Sequence, residues 1–135
     1  MRIVLDTNSL IQSFSPRSRY YHVWRSILKG ENTLCVTNEI LDEYAEILGR
    51  LSGRETAEYV LDLITECKYI EFFSPQYRFN LIAADPDDNK FVDCAIQANA
   101  RYIVTNDHHY DTLQQIDFPV VDIITLREFA KLLHH

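Results

Sequence analysis

The stretch Arg2-Ile3-Val4-Leu5-Asp6-Thr7-Asn8-Ser9 reads as a short β-rich run that stops in turn and capping residues. The same kind of run returns along the chain. Thr33-Leu34-Cys35-Val36, the segment from Tyr69 to Phe73, residues 101–105 and the segment from Val120 to Ile124 all read as strands. Between them apolar residues recur at helical spacing. Helices are expected over 17–29, 39–51, 54–67 and 88–99, with Gly30 and Gly53 as stops, and a last helix capped by Thr125. Strands that alternate with helices predict an α/β protein, a three-layer α/β/α sandwich around a central, mostly parallel sheet. At 135 residues, one domain over 1–135 is expected.

Composition narrows the function. The chain is 47% hydrophobic and 24% charged, ordinary for a globular protein, and shows no repeat or linker. It lacks an apolar run of about 18 residues, so no membrane span is expected. There is no signal pattern at the N-terminus, which makes a cytoplasmic protein the expectation. Cys35, Cys67 and Cys94 are odd in number and widely spaced; they read as reduced core thiols. A net charge of −7 argues against binding nucleic acid through a broad basic face. It leaves room for an enzyme that meets a phosphodiester through bound metal.

Five acids are placed where chemistry could use them: Asp6, Glu43, Asp88, Asp93 and Asp107. Asp6 ends the first strand and Asp107 follows Tyr102-Ile103-Val104-Thr105-Asn106, so both fall at the strand-end edge where parallel sheets bind ligands. Glu43 lies about 95° from the centre of its helix's apolar stripe, on the border of the buried face, whereas Asp42 and Glu46 fall roughly opposite that stripe. Asp88, in Asp85-Pro86-Asp87-Asp88, fits a helix N-cap as well as a ligand. Asp87 could serve in its place. Asp93 is about 140° round the helix from Asp88, so the two converge only if Asp88 precedes the regular helix. His108 and His109 read as exposed loop residues, and His134-His135 carry no functional reading. Acids gathered at one edge repel unless a cation sits between them, and hard cations such as Mg2+ prefer carboxylate oxygen.

The order of these motifs is more specific than any one of them. Leu5-Asp6-Thr7-Asn8, then Thr37-Asn38-Glu39-Ile40-Leu41-Asp42-Glu43, then Asp85-Pro86-Asp87-Asp88-Asn89-Lys90-Phe91, then Ile103-Val104-Thr105-Asn106-Asp107 resemble the PIN-domain nucleases. Within that family the chain is most similar to the toxin components of bacterial toxin–antitoxin pairs, the VapC-type ribonucleases. Even Ile124-Thr125-Leu126-Arg127-Glu128-Phe129 resembles the family's closing segment. Asn106 departs from the pattern, since many relatives carry glycine before the last acid.

The resemblance implies an endoribonuclease that uses Mg2+ or Mn2+, a homodimer, and neutralisation by a cognate antitoxin. By position, Asp6, Glu43, Asp88 and Asp107 form the acidic quartet, and Asp93 matches a position that is often acidic in this subgroup. Asp6, Asp88 and Asp107 are the expected metal ligands, with Glu43 binding metal through water or positioning the attacking water. Asn8, Thr105 and Asn106 are expected to orient them, and Arg17, Arg19, Arg78 and Lys90 to meet the RNA. Competing readings fail on the same residues. A dehalogenase-type phosphatase needs Asp at position 8, a receiver domain needs paired acids after strand one, and a nucleotide binder needs glycines in the first turn. A PIN-like module that binds RNA or protein without cutting stays open.

Overall fold

Ile3, Val4 and Leu5 have no exposed surface, so the first strand is apolar at successive positions because both of its faces are covered. The computed structural model describes residues 1–74, 78–82, 86–107, 110–111 and 121–133. Five parallel strands form its sheet: β1 (Arg2–Leu5), β2 (Thr33–Val36), β3 (Glu71–Phe72), β4 (Tyr102–Val104) and β5 (Asp122–Ile124). Their order across the sheet is β3-β2-β1-β4-β5, with Ile3 in register with both Leu34 and Tyr102. The helices are α1 (Thr7–Ser13), α2 (Tyr21–Leu28), α3 (Asn38–Ser52), α4 (Arg54–Glu66), α5 (Asn89–Gln97) and α6 (Leu126–Leu133). They complete the expected α/β/α sandwich. No helix among the described residues is long and apolar enough to cross a membrane.

This strand order fixes where a ligand site belongs. The chain moves outward from β1 through β2 to β3, then returns to the other side of β1 for β4 and β5. The direction therefore reverses between β1 and β4, and a crevice opens at such a switch point beyond the strands' carboxyl ends. Asp6 and Asp107 follow those two strands.

Several local features differ from the sequence reading. The capping composition of Asp6-Thr7-Asn8-Ser9 opens a helix that the sequence reading did not include: Asp6 caps α1, its Oδ1 accepting the Ser9 N–H at 2.8 Å. α1 buries Thr7, Ser9, Leu10 and Ser13, a mostly polar face with little apolar periodicity to reveal it. α2 starts at Tyr21 rather than near 17, and β3 is confined to two exposed residues at the sheet's edge. The end assignments fit better. Thr37 caps α3 through the Ile40 N–H at 3.2 Å, and Thr125 and Glu128 bond reciprocally at the start of α6. Asp85, His108, His109, Val120, His134 and His135 lie outside the described residues.

All three cysteines are free; Cys35 and Cys94 are core thiols as expected, whereas Cys67 is only half-buried. Burial pushes the Cys35 thiol up to about 11 and the Cys94 thiol up to about 12, which leaves both inert.

Candidate active site

The hydroxyl of Tyr44, itself fully buried on α3, donates to the Leu5 carbonyl at 2.6 Å. That bond pins α3 against the end of β1 and carries its neighbour Glu43 towards Asp6. Glu43 is half-buried on the border of the helix's apolar face, and Thr7 at the start of α1 donates to its Oε2. From the other side of the switch point, the Thr105 hydroxyl donates to Asp6 Oδ2. Thr105 Oγ1 also accepts the Asp107 N–H at 3.0 Å. One threonine thus ties the ends of β1 and β4 together and sets both aspartates.

The remaining acids arrive on the approach to α5. Pro86–Asp88 forms a 3-10 turn and α5 begins at Asn89. Asp88 holds the N-cap position, but its carboxylate makes no cap hydrogen bond to the helix. The buried Asn89 instead clamps the preceding segment, accepting the Ile82 N–H at 2.8 Å and donating to the Ile82 carbonyl at 3.0 Å. This Asn89 clamp was not apparent from the sequence, because a helix-opening Asn reads as one more capping residue.

Asp6, Glu43, Asp87, Asp88 and Asp107 line one cleft of about 260 Å³, together with Thr7, Asn8, Ile47 and Phe91. Four of the five expected acids are therefore brought together, and Asp87 joins Asp88 rather than replacing it. Asp93 is not brought to this cleft, although Asp88 does precede the regular helix. Its Oδ1 accepts the Phe79 N–H at 3.1 Å, in a small separate recess with Thr37, Glu39 and Arg78. Asp93→Ala should accordingly leave Mn2+ affinity unchanged while lowering stability by about 1 kcal/mol, since the Phe79 N–H loses its acceptor. Metal titration and chemical denaturation of the same variant check this; a weakened Mn2+ affinity would return Asp93 to the site.

Among the expected orienting residues, Thr105 reaches Asp6 and Asn8 lines the cleft. Asn106 faces elsewhere: its Oδ1 accepts the Leu126 N–H at 3.2 Å and so anchors α6. Thr7 was missed in the sequence because a threonine after a strand-end acid reads as a turn residue. Tyr110 was missed as well. It is fully buried, and its phenol is pushed far up by burial first and then by the charges of Asp88, Asp6 and Asp107.

Burial also raises the Asp6 carboxyl above its usual range, against the pull of the Thr105 and Ser9 donors, and the Asp107 charge adds to the rise. The rise is chiefly the cost of taking a carboxylate out of water, with the neighbouring acid adding least. The donor set suits a hard divalent cation, since the ligating groups around the cleft are carboxylates and nothing softer. As the side chains stand, no three His, Cys, Asp or Glu among the described residues are close enough to hold one ion. Gathering them round a cation therefore requires carboxylate rotation.

Fold and cleft together define a parallel α/β domain with an acid-lined crevice over the switch point of its sheet. The chain belongs to the PIN domain family, whose model matches residues 2–109; PIN domains are generally nucleases. In fold it is similar to a chain in the crystal structure of VapBC2 from Rickettsia felis bound to a DNA fragment from their promoter. That match has 21% sequence identity and a TM-score of 0.65, and covers 93% of this chain and 98% of the other. No curated protein sequence matches significantly.

Proposed function

We propose that this chain is a Mg2+- or Mn2+-dependent endoribonuclease, the toxin of a toxin–antitoxin pair. The observation that carries the reading is the single cleft lined by Asp6, Glu43, Asp87, Asp88 and Asp107 at the switch point of a PIN-family sheet. Support for the toxin role comes from the likeness to a chain of the Rickettsia felis VapBC2 complex over nearly the whole length of both. That likeness supports a cognate antitoxin as the partner; on this reading the working form is a cytoplasmic homodimer.

Asp6, Asp88 and Asp107 would hold the ion. Bound there, a divalent ion supplies Lewis acidity, lowering the pKa of water and offsetting charge on the scissile phosphate. Thr105 orients the Asp6 carboxylate and fixes the backbone at Asp107, the kind of support that tunes a ligand set. Glu43, steadied by Thr7, orients the water for in-line attack, and the products are a 5′-phosphate and a 3′-hydroxyl. Arg17 and Arg19, exposed between α1 and α2, are the cations offered to the RNA backbone. Arg78 is committed to Glu39 at 3.0 Å and Lys90 to Glu43 at 2.7 Å.

Expression of the chain alone should slow a bacterial host, and Asp107→Asn should restore growth. Equal growth with both proteins counts against the toxin role. Digestion of mixed cellular RNA by the purified chain then separates a toxin whose target the host lacks from a module that does not cut.

A further inference from the structure

Lys90 is the second residue of α5, where the helix dipole disfavours a positive charge. Its side chain is nevertheless only 15% exposed, so its ammonium needs partners to offset the lost hydration. It finds them on the wall of the acidic cleft. Nζ lies 2.7 Å from Glu43 Oε1 and donates to the Asp87 carbonyl at 2.8 Å. The other Glu43 oxygen accepts the Thr7 hydroxyl, so both oxygens of this carboxylate are engaged by the protein. A lysine on the outer surface would gain little from such a pair. Here, withdrawn from water and set against the dipole, it is a fixed cation that reaches the cleft's Glu43 from behind, its own side chain lining the recess that also holds Asp93.

Two-ion hydrolytic centres need carboxylates on both sides of the scissile phosphate. From the ion pair of Lys90 with Glu43 we infer that the lysine ammonium takes the place of a second divalent ion, so that the chain holds one ion, on the Asp6–Asp88–Asp107 side. This rests on the metal-dependent reading above. Lys90 is then a positioning residue: it holds Glu43 in place and denies it to metal.

Counting ions tests the assignment without any measurement of cleavage. Metal-stripped chain is titrated with Mn2+ at pH 7.5, and free Mn2+ is followed by electron paramagnetic resonance. The wild type should bind one ion. Lys90→Met, which keeps the apolar stem and removes the charge, should bind two. The two ions should be coupled in the spectrum, as ions about 3.5–4 Å apart are. Adding Glu43→Gln to Lys90→Met should return the count to one. Lys90→Gln gives the same comparison if the methionine variant folds poorly. Two ions in the wild type, or one in both folded lysine variants, overturns the role of Lys90 and leaves the metal-dependent reading intact. No Mn2+ bound to wild type or variants overturns both.

Discussion

Asp6→Asn should lower RNA cleavage by at least about a hundredfold and leave a chain that is folded and no less stable. Loss of a mere supporting partner costs a metal site about 10–100-fold, and on the proposed function Asp6 is a ligand itself. The fold should survive because asparagine caps a helix about as well as aspartate, so the bond to the Ser9 N–H is kept. Removal of a buried charge whose carboxyl is raised by desolvation offsets the loss of the Thr105 hydroxyl's acceptor, since the asparagine NH2 cannot accept.

The sign of the pH dependence follows from that shift. A carboxyl raised in the folded state binds its proton more tightly there than in the unfolded chain, where it titrates near about 3.9. In the metal-free wild type, this group's contribution is complete below that value and is lost as pH rises to the folded pKa. Asp6→Asn lacks this loss. The variant's stability relative to the wild type should therefore rise from about pH 4 upward and then level off. Cleavage rates together with thermal unfolding between pH 3 and 7 measure both effects. Wild-type cleavage by the variant would remove Asp6 from the ligand set, and a relative stability that falls as pH rises would contradict the buried charge.

The second large effect is metal-induced stabilisation. An ion bound only to the folded state adds RT ln(1 + [L]/Kd), about 2.7 kcal/mol at a hundredfold excess over Kd. For a chain of this size that raises Tm by roughly 3–6 °C. Asp6 makes the effect pH-sensitive, because a carboxyl that already favours its proton yields the ligand position to acid early. Calorimetry of chelator-treated protein with and without millimolar Mn2+ should show the increment at pH 7.5 and a much smaller one at pH 5. The same Tm with and without Mn2+ at pH 7.5 would count directly against a metal centre.

What the sequence disclosed and what it hid divide along physical lines. β1, β2 and β4 were legible because inner parallel strands are apolar at successive positions. α3 and α4 were legible through apolar stripes separated by Gly53. α1 was not, since it buries serine hydroxyls that bond to backbone carbonyls, as Ser9 does to Val104 at 2.9 Å, and a threonine hydroxyl that bonds to Glu43. β3 was overextended because an exposed edge pair carries no burial pattern. In the cleft, acids at strand ends and at a helix border could be inferred from period and topology. The engagement of Lys90 with Glu43 could not, because it joins two helices 47 positions apart that only the folded sheet brings side by side. Helical angles set Asp93 well round from Asp88 and left convergence to a start of the helix after Asp88; α5 does start there, but Asp93 bonds the Phe79 amide and lies outside the cleft.

The sheet's central strand has a consequence for biogenesis. β1 is translated early, yet its neighbour β4 and the Thr105 hydroxyl that sets Asp6 come 99 residues later. During synthesis the first strand has β2 to pair with on one side and nothing on the other. Long-range parallel pairing is slow because a large loop must close before any contact rewards it. The acidic crevice, whose walls are the ends of β1 and β4, therefore assembles as one of the last events of folding. A nascent chain on the ribosome carries Asp6 and Glu43 without the partners that orient them. A chain built this way cannot complete its acidic cleft until β4 has been made and has joined β1.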